Sequence, residues 1–181
     1  AAMATIELLE ANGAKVDRDR ARFFLPRDLV MSQVAIAPEQ VILYSRDGQN
    51  DLDLNRHRVY LGTGGAAIKI LDLETGEARP STLQDLYQLA RLVDALDHVH
   101  FFLRPCVPTD VSETAYDENS LFACLKGTAK HVMFGVTNEE GFQRVFDIAS
   151  MVAGGAEKLK QRPFFSTVAC FAFSPLKLCT Q

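Results

Sequence analysis

The chain has 181 residues, of which 48% are hydrophobic and 23% charged, enough for an ordinary globular domain with a sizeable core. A net charge of -4 and scattered Lys and Arg residues argue against nucleic acid as a partner. No apolar run approaches the roughly 18 residues of a membrane span and the amino-terminal segment is not a signal sequence, so we expect a cytoplasmic protein without a membrane partner.

The first 80 residues are predicted to form an amino-terminal region of short helices and antiparallel strands. Residues 4–12 and the stretch after Pro26 have the spacing of short amphipathic helices. Asp47-Gly48 between two apolar runs is a hairpin signal. Strand-like runs occupy residues 41–44, 52–54, 59–61 and 68–73.

A glycine-rich loop is the most distinctive part of this region. Gly62, Thr63, Gly64 and Gly65 lie between two apolar runs, where bare backbone either turns sharply or approaches something closely. The spacing up to Ala67 matches the dinucleotide fingerprint, but that fingerprint should open a crossover helix, and a strand-like run follows here. Three interpretations stay open: a nucleotide site, a structural turn, and a loop that lines a ligand pocket.

From residue 81 the pattern changes to alternating helices and strands. Thr82 and Asp85 form a variant of the capping box that opens a helix over residues 82–97. Thr137-x-x-Glu140 is a similar signal for a later helix. Further elements are predicted as strands at 98–103, 131–136 and 164–173 and a helix at 117–126. This alternation indicates an α/β architecture, a parallel sheet whose helices cover a face, and it predicts a domain boundary between residues 80 and 81.

Metal binding is not indicated by the sequence. The four cysteines are widely spaced without a C-x-x-C pair, which argues against a zinc knuckle and a disulfide scaffold. His98 and His100 share a face of one predicted strand, but no third ligand accompanies them. We expect no metal and no directly bound cofactor.

Three long collinear blocks carry a family resemblance, at residues 62–67, 71–86 and 90–97. Shorter matches are Pro105-x-Val107-Pro108-x-Asp110-Val111, Thr128-x-Lys130-His131 and Ser174-Pro175-Leu176. Together these segments resemble the amino-terminal part of the trimethylamine methyltransferase (MttB) superfamily. The resemblance implies an incomplete TIM (β/α)8-type barrel: a small α+β region at residues 1–80, then the first βα units of a truncated barrel at residues 81–181.

The resemblance also implies a function. Members of the superfamily move a methyl group from trimethylamine, or from a quaternary amine such as glycine betaine, to the cobalt of a separate corrinoid protein. One interpretation is that the chain belongs to a member of the superfamily that lacks pyrrolysine. The absence of pyrrolysine from these 181 residues does not decide this, because in the family that residue lies in the later part of the barrel. The corrinoid partner would carry the cofactor, and a homo-oligomer is left open. The alternatives are a small-molecule binding module that uses the glycine-rich loop, and an inactive fragment that needs a partner chain.

Candidate substrate residues follow from the chemistry that the resemblance implies. Aromatic faces suit a quaternary cation, and barrel active sites form at the carboxyl ends of the strands. Core packing is the alternative for such aromatic residues. The aromatic residues near predicted carboxyl ends are Phe102, Phe134, Phe171 and Phe173.

Polar candidates are fewer. Arg104 and Asp110, in the loop after the first predicted barrel strand, are candidates for contact with substrate or with a carboxylate. Ser174 follows the third strand, and a hydroxyl contact or a turn fits it better than nucleophilic catalysis. Lys130 and His131 begin a strand, away from the expected chemistry, so we expect a structural or interface role. The catalytic residues are not identified by the sequence.

Overall fold

The computed structural model describes residues 2–20, 22–55, 57–168, 172–173 and 177–178. The helices are α1 (Ala2–Ala11), α2 (Arg27–Ala35), α3 (Leu83–Asp94), α4 (Tyr116–Gly127), α5 (Glu139–Ala153) and α6 (Ala156–Gln161), with a 3-10 turn at Glu113–Ala115. The strands are β1 (Lys15–Asp17), β2 (Arg22–Phe24), β3 (Ile42–Leu43), β4 (Leu52–Asp53), β5 (Lys69–Leu71), β6 (Ala78–Pro80), β7 (Phe102–Leu103), β8 (Val132–Phe134), β9 (Phe165–Thr167), β10 (Ala172–Phe173) and β11 (Lys177–Leu178). No helix among these residues is both long and apolar enough to cross a membrane.

The chain divides into two compact units, Ala1–Glu39 with Cys170–Gln181, and Gln40–Ala169. The first unit holds α1, α2 and the antiparallel pairs β1–β2 and β10–β11. The second unit spans residue 80, where the change of pattern predicts a boundary. Hydrogen bonds cross that position: Ser81 donates its N–H to Ile68 O, and Val107 donates its N–H to Ala67 O.

Two antiparallel hairpins precede the α/β part of the second unit. β3 pairs with β4 around the Asp47-Gly48 turn, as the sequence predicts, and Gly48 has a left-handed φ of 76°. Within that hairpin, Asp51 accepts hydrogen bonds from the N–H and the hydroxyl of Ser45 at 2.9 and 3.0 Å. β5 pairs with β6 in the same way. Residues 59–61 form no regular strand, in contrast to the prediction.

A parallel sheet with the order β7-β8-β9 forms the centre of the second unit. The predicted parallel pairing is confirmed, and α4 connects β7 to β8. α5 and α6 connect β8 to β9. The sequence predicts that α5 ends near Gly154, which is confirmed by its left-handed φ of 80°. It misses α6, which has a single buried residue, Leu159.

One face of this sheet packs on the helices. Phe102, Val132 and Phe165 are paired across the three strands and belong to, or pack against, one cluster with α3, α4 and α5. The next paired positions, which point to the opposite face because side chains alternate along a strand, are only partly buried. They are Leu103, Met133 and Ser166.

Local capping signals fix the helix starts. Thr82 accepts a hydrogen bond from Asp85 N and closes the predicted capping box of α3. At α5 the prediction is wrong in detail, because Asn138 caps the helix by accepting from Gly141 N at 2.8 Å. Thr137 instead donates its N–H and its hydroxyl to Asp117 in α4.

Candidate functional site

The glycine-rich segment, residues 62–67, lies along the edge of β7. Isolated parallel bridges pair Gly62 with Phe101 and Ala67 with Cys106. Thr63 donates its hydroxyl to Leu103 O at 2.7 Å. The segment therefore extends the sheet beside β7, a long-range pairing that the sequence pattern does not predict.

The three glycines of this segment have different structural roles. A methyl group at Gly62 would overlap the Phe101 ring, so glycine permits this close packing. Gly65 has a φ of 118°, which side chains with a Cβ rarely adopt. A Cβ at Gly64 would lie 3.5 Å from Leu103 Cδ2, an ordinary contact, and its φ is not left-handed. Packing and conformation thus account for Gly62 and Gly65, but not for Gly64.

Arg104 follows β7 and turns its side chain toward α4. Its N–H donates to Met133 O at 2.9 Å, which continues the sheet for one more residue. The guanidinium carbon lies 5.1 Å from the centre of the Tyr116 ring, within cation–π range. Arg104 Nη1 is buried and has no hydrogen-bond partner among the described residues. The structure therefore places this cation between the carboxyl end of β7 and the first turn of α4.

Sequence reasoning missed several buried polar groups on α4, the helix that Arg104 contacts through the Tyr116 ring. The hydroxyls of Tyr116 and Ser120 are buried without a hydrogen-bond partner among the described residues. Burial raises the pKa of Tyr116, although Arg104 opposes that rise. Burial also raises the pKa of Cys106 and brings the pKa of Cys124 to about 12, so both thiols are protonated at neutral pH. The spacing of Tyr116, Ser120 and Cys124 on one helical face was the available signal.

Asp110 has a structural contact that competes with the predicted substrate role. Its Oδ1 accepts a hydrogen bond from Leu83 N at 2.8 Å, in the first turn of α3. A carboxylate at a helix amino terminus is stabilised by the exposed N–H groups there. Asp110 thus contacts the start of α3, whereas Arg104, with which the sequence grouped it, contacts α4.

The described aromatic candidates lie on the helix-facing side of the sheet. Phe102 and Phe134 are buried in the cluster with α3, α4 and α5, and Phe134 stacks on Phe165 with ring centres 6.1 Å apart. These are the contacts of core residues. Phe171 and Ser174 lie outside the described residues, and Phe173 is described only through the pairing of its strand, β10.

Two of the histidines, His100 and His131, make hydrogen bonds through their ring nitrogens. His100 Nδ1 accepts from Leu61 N at 3.0 Å. His131 is buried, with Nδ1 2.9 Å from Tyr44 O and Nε2 2.9 Å from Ser166 Oγ. Within the described ranges, no three His, Cys, Asp or Glu residues are grouped to hold a metal ion.

Lys130 forms three hydrogen bonds through its side chain. Its buried Nζ donates to Val93 O, Leu96 O and Val99 O at 2.7 to 2.8 Å. These carbonyls belong to the last turn of α3 and the segment after it, where a cation also offsets the negative end of the helix dipole. The contacts agree with the structural role expected for the Thr128-x-Lys130-His131 motif.

Comparison with known proteins assigns the chain to a family. The sequence profile described as "Trimethylamine methyltransferase (MTTB)" matches residues 2–181. A trimethylamine methyltransferase MttB from Desulfitobacterium hafniense (strain DSM 10664 / DCB-2) is 33% identical over 173 residues, which cover 96% of this chain and 35% of the relative.

Two further relatives are named for different substrates. A trimethylamine methyltransferase MttB from Methanosarcina thermophila is 26% identical over 95% of this chain and 36% of its own length. A glycine betaine methyltransferase from Desulfitobacterium hafniense (strain Y51) is 25% identical over 95% of this chain and 35% of its own length. The chain thus spans about a third of the length of the curated relatives that it matches.

Proposed function

Since the chain belongs to the trimethylamine methyltransferase (MttB) family, we propose that the longer protein moves a methyl group from a methylated amine to the cobalt of a corrinoid protein. The observation that carries this proposal is the match over residues 2–181, together with 33% identity to one trimethylamine methyltransferase. The names of the relatives suggest trimethylamine or glycine betaine as substrate. We place the protein in the cytoplasm.

The proposed chemistry assigns a limited task to the protein. A corrinoid cobalt would supply the nucleophile, and a quaternary amine would leave neutral after losing its methyl group, so the cofactor of the partner would supply the bond-breaking chemistry. The enzyme has to strip water from a cation and hold its methyl group in line with the metal. Such a site needs walls that exclude water more than it needs acids or bases.

The architecture supports such a site in part. We propose that the parallel sheet belongs to an eight-stranded TIM-type barrel, whose active site would form at the carboxyl ends of the strands. Leu103 and Met133 lie on the sheet face opposite the helices and would form part of the inner wall. Arg104 marks the carboxyl end of β7 and is the best-placed polar side chain for an anionic group of a substrate or partner.

A methyl-transfer assay tests the proposal. The full-length protein is mixed with its corrinoid protein in the reduced Co(I) state and with trimethylamine or glycine betaine, and the absorbance of methyl-cobalt is followed. Formation of methyl-cobalt with at least one amine is expected. If no methylated amine produces it, the proposal is wrong.

The binding-module alternative receives less support. The N–H and C=O of Ala67 form hydrogen bonds with residues after β7, and the Thr63 hydroxyl donates to Leu103 O. Part of the glycine-rich segment is therefore already engaged in hydrogen bonds within the protein. Isothermal titration of the full-length protein with a nucleotide and with glycine betaine separates the alternatives. Tight nucleotide binding without methyl transfer would favour the binding module. We expect the 181-residue chain alone to be inactive, because a pocket built from eight loops would be incomplete.

A further inference from the structure

Four buried polar atoms near the carboxyl end of β7 and the start of α4 have no hydrogen-bond partner among the described residues. They are Arg104 Nη1, Tyr116 OH, Asp117 Oδ1 and Ser120 Oγ. Asp117 and Ser120 are each only 1% exposed. Native proteins rarely leave buried polar groups unpaired, because the lost hydration is not regained. A group of four such atoms therefore indicates a partner that the protein chain does not supply.

The four side chains are close neighbours. The Arg104 guanidinium carbon lies 5.1 Å from the centre of the Tyr116 ring. Tyr116 and Asp117 precede Ser120 by four and three residues, the spacings that bring side chains together on a helix. Burial raises the pKa of Tyr116, Arg104 and the Ser120 hydroxyl oppose that rise, and Asp117 adds to it. All three thus lie near the phenol, although the two hydroxyls do not form a hydrogen bond with each other.

Asp117 is held away from a direct ion pair with Arg104. Its Oδ2 accepts hydrogen bonds from the N–H and the hydroxyl of Thr137 at 3.0 and 2.6 Å. A Cβ at Gly141 would overlap this same oxygen, so the start of α5 packs closely against it. Arg104 is anchored too, because its N–H donates to Met133 O. Turning the carboxylate toward the guanidinium would therefore break two hydrogen bonds.

The chemistry of the four atoms indicates which partner fits. Arg104 Nη1 only donates, Asp117 Oδ1 only accepts, and the two hydroxyls can do either. Together they match the two donor and two acceptor positions of a water molecule. An anion fits less well, because a carboxylate belongs to the group and an enclosed charge loses its hydration. A side chain from the rest of the longer protein has no access to atoms that the described residues already enclose.

We propose that an ordered water molecule is bound among these atoms and joins Arg104 Nη1 to the polar face of α4. The water accepts a hydrogen bond from Arg104 Nη1, donates one to Asp117 Oδ1, and forms the other two with the hydroxyls of Tyr116 and Ser120. It links the two opposite charges through one neutral molecule. The guanidinium has further N–H groups, so this role is compatible with the anion contact that the proposed function gives to Arg104, and it does not depend on methyl transfer.

A crystal structure of the full-length protein, grown with bromide as the anion and measured at the bromine absorption edge, identifies the occupant. The expected result is a peak without anomalous signal, within about 3.2 Å of Arg104 Nη1 and of at least two of the other three atoms. An anomalous bromide peak, a direct ion pair between Arg104 and Asp117, or a space that holds no water would overturn the inference.

A double-mutant cycle in the full-length protein tests the bridge itself. Arg104 and Ser120 form no direct hydrogen bond, so coupling between Arg104→Met and Ser120→Ala is expected to pass through the water. The two changes together should alter the equilibrium constant of urea unfolding about fivefold less than the product of their single effects.

Ser150→Ala is the matched control for this cycle. It removes another buried hydroxyl without a partner among the described residues, near the end of α5 and outside the proposed site. Its effect should be independent of Arg104→Met. If Ser120→Ala is equally independent, the bridge is wrong. The wild-type crystal structure decides the question even if Arg104→Met does not fold.

Discussion

Gly62 offers the sharpest test of whether the glycine-rich segment is needed for packing or for ligand binding. In Gly62→Ala the new methyl group would overlap the Phe101 ring, and overpacking of this kind costs about 1–3 kcal/mol. Replacing a glycine also lowers the conformational entropy of the unfolded chain, which stabilises the folded protein by about 0.4–1 kcal/mol. We therefore expect a net destabilisation of about 1–2 kcal/mol.

Gly64→Ala is the matched control, two residues away in the same segment. Its Cβ would meet Leu103 Cδ2 at 3.5 Å, which is ordinary van der Waals contact, and no left-handed φ has to be accommodated. Only the lower conformational entropy of the unfolded chain then affects stability, so this variant is expected to be as stable as the wild type or up to about 1 kcal/mol more stable.

Urea unfolding of the full-length protein measures both variants. Phe101→Leu, made alone and together with Gly62→Ala, isolates the contact, because a smaller side chain leaves room for the new methyl group. A positive coupling of about 1 kcal/mol in this double-mutant cycle is expected. Equal midpoints for Gly62→Ala and Gly64→Ala, without coupling to Phe101, would refute the packing argument. Full stability with lost methyl transfer in Gly62→Ala would favour the ligand-lining interpretation instead.

Three further predictions concern the supports of the sheet, all measured by urea unfolding of the full-length protein. Lys130→Met leaves three carbonyls without their charged donor and should cost about 3 kcal/mol, whereas the exposed Lys69→Met should change little. Thr82→Ala should lower the free energy of unfolding by about 1 kcal/mol because it removes the side-chain cap of α3. Thr82→Ser should keep most of the stability that the cap contributes, and equal losses of stability in the two variants would contradict the capping role. Burial lowers the pKa of His131 below 6.5, so its contribution to stability should be complete above pH 6.5 and be lost as the pH falls through the lowered value. His131→Gln should flatten this dependence between pH 7.5 and 5.5, and an unchanged slope would exclude His131 as its source.

Local signals in the sequence predicted the helices of the second unit well. The capping box at Thr82 and the apolar spacing behind it define α3, and both are confirmed. The Asp47-Gly48 pair also predicts the β3–β4 hairpin, although the connection that holds it, residues 44–51, is longer than a two-residue turn. Alternation of helices and strands predicts a parallel sheet, and β7, β8 and β9 form one.

Long-range pairings could not be predicted in the same way. The segment at residues 62–67 has too few side chains to show a strand period, and its partner is beyond the next helix, so it resembles a loop in the sequence. Asp110 caps α3 across 27 positions of the chain, a contact without a local signature. Arg104 was placed correctly after β7, but only the structure shows that its guanidinium lies over Tyr116.

The motif residues that carry the family resemblance use much of their hydrogen-bonding capacity on the backbone. Lys130 is committed to three carbonyls, Asp110 to Leu83 N and the Thr63 hydroxyl to Leu103 O. The Lys130 ammonium has no donor left for a substrate, whereas the Thr63 hydroxyl and the Asp110 carboxylate keep acceptor positions only. Apolar contacts with a methylated substrate are expected at the sheet face opposite the helices, where Leu103 and Met133 are apolar and only partly buried. Such a surface can remove water from a methylated cation but cannot compensate its charge, so recognition of the charge has to come from groups outside this face.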